Sequence, residues 1–467
     1  MQYISTRGEA PSLGFCDALL AGLARDGGLY LPERTPAMAP ASIAALAGIP
    51  YAAAAAAIMA PYIGEEIGAA DLAAMTQGAY AGFRHPAKAP LAQIGDNLFV
   101  LELFHGPTLA FKDFAMQFLG RAMNHVLERR GARATILGAT SGDTGAAAIE
   151  AFGGQSQTEI FILYPHGRVS DVQRRQMTMV NRPNVHAIAL EGSFDDCQAI
   201  LKSLFNDLAF RDELGLSGVN SINWARIAAQ IVYYFTSAVS LGAPARGVSF
   251  TAPTGNFGDI LAGYYAKSMG LPVERLIVAT NANDILARAL ASGAYKTRGV
   301  VATESPSMDI QVSSNFERLL FDACGRDPNA VRAAMASLAQ SGEFTIAPAP
   351  LRAIRETFDA YSTSEAECAS EMARVYRECG YILDPHTAVG VSAARRALAR
   401  DPATPMIILG TAHPAKFPDA VERAIGLRPA LPEHMADLMR REERFTILPN
   451  DPRVVARFIR QSARAVA

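Results

Sequence analysis

From about residue 95 onward one pattern recurs: a short apolar run, a turn rich in glycine and hydroxyl side chains, then a longer stretch with helical spacing. "RATILGAT" leads through "SGDTG" into "AAAIEAF", "GVSFTAP" through "TGNFGD" into "ILAGYYAKSMG", and "PMIILG" through "TAHPAKFPD" into "AVERAIG". "RLIVATNAND" followed by "ILARALASG" repeats the plan, and "IFILYP" and "VHAIAL" read as two further strands. A helix between successive strands returns the chain to the end from which it started, so such strands pair in parallel and their helices cover the faces. The pattern predicts an α/β fold with open, mostly parallel sheets. In such sheets ligands bind beyond the carboxyl ends of the strands, so the strand-to-helix turns are where chemistry is to be sought.

Residues 1–92 lack this rhythm. They are rich in alanine and proline, with short helical patches at 16–25 and 52–59, and read as a separate helical lead-in domain. The stretch 35–64 carries no charge, but Pro36, Pro40, Pro50 and Pro61 divide it, and the run between the last two is too short for the ~20 apolar residues of a membrane span. The N-terminus lacks the basic-then-apolar order of a signal peptide. A formal net charge of −2 gives no basic face for nucleic acid. The five cysteines form no CxxC pair, so neither a zinc knuckle nor a disulfide framework is expected, and reduced thiols fit a cytoplasmic protein.

Four turns carry candidate chemistry. In "FHGPTLAFKDF" (104–114), Lys112 lies among apolar neighbours and opens a helix in which Phe114, Phe118, Leu119, Met123, Val126 and Leu127 recur near the 3.6 period, closed by Gly131. Desolvation lowers a lysine pKa and makes its amine a usable nucleophile, although a lysine snorkelling from an amphipathic helix has the same pattern. Ser141-Gly142-Asp143-Thr144 offers hydroxyls and helix N-terminal amides for a carboxylate, and equally the residues of a capped turn. Gly255-Asn256-Phe257-Gly258 suits a phosphate dianion held by backbone amides, with no Walker lysine and no GxGxxG for a nucleotide. Thr411 ends a strand, so its hydroxyl points at the crevice; His413, fixed by Pro414, reads as structural. Arg168 and Ser170 follow another strand, and "NSINWARIAAQ" (220–230) sets Arg226 and the single tryptophan before an apolar helix.

An amine, a phosphate cup, an anion loop and a hydroxyl at a strand end together fit pyridoxal 5′-phosphate, which needs a lysine, an anchor for its phosphate and a partner for its ring nitrogen. HExxH, GxSxG and metal-ligand spacing are absent, and no metal is expected.

At this point the chain resembles the threonine synthases, in the tryptophan-synthase-β-like group of pyridoxal-phosphate enzymes (fold type II). The resemblance runs through "YISTRG", "LARDGGLYLPE", "LELFHGPTLAFKDFA", "GATSGDTGAAA", "YPHGRVSDVQRRQM", "NSINWARIAAQ", "PTGNFGD", "DPHTAVG" and "GTAHPAKF". It implies two three-layer α/β/α domains: a large one from 93–130 and 220–467, and a small one from 131–219 inserted in it, after the N-terminal domain. Lys112 looks like the Schiff-base lysine, Gly255, Asn256, Phe257 and Gly258 like the cofactor-phosphate cup, and Thr411 like the ring-nitrogen partner. Ser141, Gly142, Asp143 and Thr144 resemble the loop that receives the substrate α-carboxylate. Arg168, Ser170, Arg226 and Lys416 are candidates for a second anion site. The implied activity is that of a carbon–oxygen lyase acting on phosphate, which turns O-phospho-L-homoserine and water into L-threonine and phosphate by γ-elimination and β-hydration. The alternative is another fold-type-II enzyme, a threonine dehydratase-like or phospho-lyase relative. A small-molecule substrate, no membrane, and a monomer or homodimer complete the expectation.

Overall fold

The computed structural model describes residues 1–463. Two separate sheets carry the α/β pattern. The first has six strands in the order Phe358–Ser362, Val273–Thr280, Val248–Pro253, Met406–Gly410, Leu98–Glu102, Leu91–Gly95, all parallel except the last pair, an antiparallel hairpin. Its central strands Val248–Pro253 and Met406–Gly410 are buried along their whole length. Side-chain alternation sends Ile407 and Leu409 into one apolar cluster and Met406 and Ile408 into another. On the first side lie the helices Trp224–Ser240 and Gly258–Ser268; on the second lie Glu365–Cys379 and Pro385–Leu398. This is a three-layer α/β/α arrangement.

The second sheet is wholly parallel, in the order Thr446–Pro449, Val185–Glu191, Thr158–Pro165, Ala134–Ala139, Leu216–Gly218. The sequence reading keeps all of 220–467 with the first sheet. The structure instead sends residues 446–449 back to edge the second one, and Val455 and Ile459 of the helix Pro452–Ser462 join its apolar cluster. A four-residue strand of half-exposed and exposed positions carries no periodicity by which to assign it.

The N-terminal helices Tyr51–Ile63 and Ala69–Ala81 share one continuous core with the first sheet's helices. The first of them runs through Pro61, where the sequence reading has a break; only two residues follow the proline, so little helix is disturbed. Tyr51 and Tyr80 meet edge to face at 4.8 Å, and both pack on Phe114, two residues past Lys112. Phe83 lies 4.5 Å from the same ring. Aromatic pairs add ~0.5–1.5 kcal/mol each beyond burial, so the start of the helix Lys112–Arg130 is anchored by the lead-in segment. No helix among the described residues is long and apolar enough to cross a membrane.

Candidate active site

The carboxyl ends of the first sheet's strands bring three loops together. Residues 103–111 follow Leu98–Glu102, residues 411–417 follow Met406–Gly410, and residues 254–257 follow Val248–Pro253. Adjacent parallel strands force the first two side by side: Ala110 bridges Ala412, and the Phe111 amide donates to the Thr411 carbonyl at 2.9 Å. Lys112 is thereby set as the first residue of its helix, between the two sheets. Its side chain is 11% exposed, and Nζ lies 3.6 Å from Asp143 Oδ2. Burial lowers its pKa; the Asp143 carboxylate opposes that, while the cations of Lys416 and Arg226 add to it.

Within the lysine loop, Thr108 makes four of the bonds that hold it. Thr108 donates its amide (2.8 Å) and hydroxyl (2.7 Å) to the buried Asp113 carboxylate. Its carbonyl accepts from Lys416 Nζ at 2.8 Å and Gln176 Nε2 at 3.0 Å. Asp113 sits in the first turn of the lysine helix, so the loop is pinned to the helix it precedes. Burial raises the Asp113 pKa to about 6, less than it would without the two Thr108 bonds.

Thr254 to Gly258 form an amide cup. Phe257 adopts φ 62°, which turns the chain sharply into the helix Gly258–Ser268. Ser313 donates to the Gly255 carbonyl at 2.6 Å, and Asn315 donates from its backbone (3.1 Å) and side chain (3.2 Å) to the Asn256 carbonyl. With those carbonyls tied back, the amides of Gly255, Asn256 and Gly258 have no protein partner among the described residues. Free amides at a helix N-terminus are what a phosphate dianion requires. Thr254 supports the cup from below, its hydroxyl donating to Asp259 at 2.6 Å and accepting from the Phe257 amide at 3.1 Å.

The second sheet supplies the opposite wall. Gly142 has φ 145° and ψ −81°, and a Cβ there would overlap the Gln173 side chain; only glycine meets both demands. The Thr140 hydroxyl accepts from the amides of Gly142 and Gly145, both at 2.9 Å. The amides of Ser141, Asp143 and Thr144 are left without protein partners among the described residues. Asp143 Oδ1 accepts from Lys416 Nζ at 2.8 Å and from Gln173 Nε2 at 2.9 Å. Burial alone would raise the Asp143 pKa, but Lys416 and Lys112 hold it well below the usual carboxylate range.

The structure therefore brings Lys112, Asp143, Lys416, Thr411 and Arg226 to one crevice, and the four second-anion candidates differ in what already holds them. Arg168 is exposed. Ser170 caps the helix Asp171–Thr178 and bonds Gln173. Lys416, 0% exposed, is spent on Asp143 and the Thr108 carbonyl. Arg226 is buried, donates to the Val219 carbonyl at 2.9 Å and, among the described residues, leaves Nε without a partner and has no carboxylate beside it. Burial lowers its pKa to about 10. A buried guanidinium without a counter-ion costs several kcal/mol, a cost that an incoming anion would offset. The helix start that carries Arg226 abuts the cup, since a Cβ on Gly258 would lie 3.7 Å from Ile227 and 3.8 Å from Ser221. His413 Nδ1 accepts from the Ala415 amide, and burial lowers its pKa to about 4.

The buried Lys112 amine, the free cup amides and the Thr411 hydroxyl, which makes no hydrogen bond among the described residues, fit an anionic pyridine cofactor between the two walls. Sequence reasoning missed Thr108, Gln173, Ser313 and Asn315 as parts of this site. Ser313 and Asn315 lie in a polar run, "SSN", inside a long loop with no helix or strand spacing, and that was their only signal.

Residues 2–80 match the family model described as threonine synthase N terminus, 84–409 that of pyridoxal-phosphate dependent enzymes, and 387–459 that of threonine synthase, C-terminal. The chain is 54% identical to a threonine synthase from Pseudomonas aeruginosa over 99% of this chain and 98% of that one. It superposes on the crystal structure of a pyridoxal-phosphate-bound threonine synthase from Brucella melitensis with TM-score 0.97, 61% identity and full coverage of both chains. On yeast threonine synthase the TM-score is 0.94 at 41% identity, covering 99% of this chain and 98% of that one.

Proposed function

The chain belongs to the threonine synthase family of pyridoxal-phosphate-dependent enzymes, and from that premise we propose that it converts O-phospho-L-homoserine and water into L-threonine and phosphate at the crevice around Lys112. The observation that carries this reading is the provision for two separate anions beside one buried lysine: the amide cup at 255–258 and the unpaired Arg226. A cofactor phosphate and a substrate phosphate need one site each.

Pyridoxal phosphate, when bound, supplies an aldehyde to join to an amine and a conjugated ring that takes up electron density from the substrate's α-carbon. Lys112 would hold its aldehyde carbon, Gly255, Asn256, Phe257 and Gly258 its phosphate, and Thr411 its ring nitrogen. A threonine hydroxyl does not hold that nitrogen fully protonated as a carboxylate would. The amides of Ser141, Asp143 and Thr144, with the hydroxyls of Ser141 and Thr144, receive the substrate α-carboxylate. Arg226 receives the phosphate of the substrate and then of the product. The Lys112 amine, its pKa lowered by burial, moves protons at the substrate's Cα and neighbouring carbons. We place the enzyme in the cytoplasm, with its cysteines unpaired.

An assay with O-phospho-L-homoserine tests the reading. Threonine and phosphate are expected in equal amounts; 2-oxobutanoate as the main product would favour the dehydratase-like alternative. The cup has its own test. Asn315→Ala removes the side-chain bond to the Asn256 carbonyl and leaves the backbone amide of residue 315 as its remaining donor among the described residues, so the cup is held less firmly. Loss of a charge-sensitive bond of ~1–2 kcal/mol weakens cofactor binding roughly tenfold, read by absorbance titration of the apoenzyme. An unchanged affinity would place the cofactor phosphate elsewhere.

A further inference from the structure

Lys416 is the most completely buried cation of the crevice, and both groups its ammonium meets belong to the protein. Its Nζ bridges two protein groups on different units: Asp143 Oδ1 at 2.8 Å, at the start of the second sheet's helix Asp143–Phe152, and the Thr108 carbonyl at 2.8 Å, in the loop before Lys112. It stands on a short helical turn, Pro414–Lys416, that follows a first-sheet strand and is fixed by His413. Asp143 in turn lies between Lys416 and Lys112, with Gln173 donating from the third side. The groups facing this carboxylate are therefore two ammonium groups from the first unit and one amide from the second. Facing Lys416 are Asp143, the Thr108 carbonyl and, further off, Lys112, Asp113 and His413.

We propose that Lys416 is a positioning residue that neutralises Asp143 and ties it to the Thr108 carbonyl, so that the Asp143 carboxylate is held against Lys112 across the cleft between the two sheets. Lys416 then acts through Asp143 and not on the substrate phosphate. A carboxylate at position 143 brings a full charge to a buried wall, and a lone lysine at 112 would pair with it and lose its use as a base. A second ammonium group takes up that charge. Asp143 orients Lys112 at 3.6 Å while its short contact is with Lys416. The same bridge latches the wall that carries the carboxylate-binding amides to the loop that carries the cofactor lysine. This inference rests on the reading of Lys112 given above, but its decisive measurements include the apoenzyme.

The test is a cycle of Lys416→Met, Asp143→Asn and the pair together, each as full-length protein. Lys416→Met alone is expected to lower kcat by roughly 30-fold, since it strands a buried carboxylate beside Lys112. Adding Asp143→Asn is expected to restore about tenfold of that loss, because an amide needs no counter-ion. Inhibition by inorganic phosphate is expected to stay within about twofold of the parent in Lys416→Met. In the apoenzymes, the paired variant is expected to melt above Asp143→Asn alone, where the buried ammonium has lost its partner. The proposal is overturned if the two losses multiply with no rescue in either kcat or melting temperature. It is also overturned if Lys416→Met weakens phosphate inhibition tenfold or more, which would make Lys416 a substrate-phosphate ligand. Should Lys416→Met yield no folded protein, the melting comparison of Asp143→Asn with the pair decides alone, and absence of rescue there counts against the proposal.

Discussion

Lys112→Ala is expected to leave a folded protein that turns over at least ~10³-fold more slowly, in line with removal of a group that both binds the cofactor and moves protons. The fold should survive. Lys112 is the first residue of a 19-residue helix whose remaining first turn is secured by Asp113 and the Phe114 cluster, and alanine is the best helix former. The purified variant is expected to lack the absorbance near ~410–430 nm that a lysine-bound pyridoxal group gives. Added pyridoxal phosphate should still bind through the cup at 255–258, with an aldehyde-type spectrum. Activity within tenfold of the parent would remove Lys112 from the chemistry.

Arg226→Met is the second large effect, and it separates function from stability. The parent side chain is a buried cation with one hydrogen-bonded arm and no carboxylate beside it among the described residues. Replacing an uncompensated buried ion by an apolar side chain of similar length is neutral or stabilising, so the apoenzyme's melting temperature is expected to hold or rise. In the role proposed for Arg226, the same change removes a charge-assisted contact to phosphate worth ~2–4 kcal/mol, which corresponds to a KM for O-phospho-L-homoserine raised about 30- to 1000-fold. Inhibition by inorganic phosphate should weaken in parallel while cofactor affinity stays the same. A fall in cofactor affinity with an unchanged KM would assign Arg226 to the cofactor phosphate instead. A fall in melting temperature would show that the parent guanidinium already has a compensating partner.

The two predictions draw on different amounts of sequence information. The lysine at 112 has by itself the pattern of a snorkelling helix start; what was legible is its company, since the turns at 141–144, 255–258 and 411 each follow an apolar run that reads as a strand. Strand-to-helix turns in a parallel sheet converge by topology, so their residues meet without any contact having to be foreseen. The meeting of Lys416 with Asp143 was not legible. It joins loops of two different sheets more than 270 positions apart, and no local periodicity encodes the choice of partner. Lys416 on its own looked like one more cation near the site. Its burial reverses that reading, since an ammonium group with no solvent exposure has to answer to the protein first. The excursion of residues 446–449 to the second sheet was hidden for a similar reason, as a short edge strand takes its place from its neighbour and not from its own pattern.

Arg226 shows the middle case. "NSINWARI" placed an arginine before an apolar helix, which by spacing alone is as well explained by a surface charge. Only the fold reveals that the helix Trp224–Ser240 is buried on nearly every side, that its first turn abuts the amide cup at 255–258, and that no acidic side chain among the described residues comes to meet the guanidinium.

The most direct measurement is the position of the cofactor's covalent bond. Treating the holoenzyme with borohydride, digesting it and sequencing the pyridoxyl-bearing peptide by mass spectrometry identifies the residue that holds pyridoxal phosphate. The label is expected on Lys112 alone. Label on Lys416, whose ammonium group shares the Asp143 carboxylate with Lys112, or on any other lysine, would contradict the account.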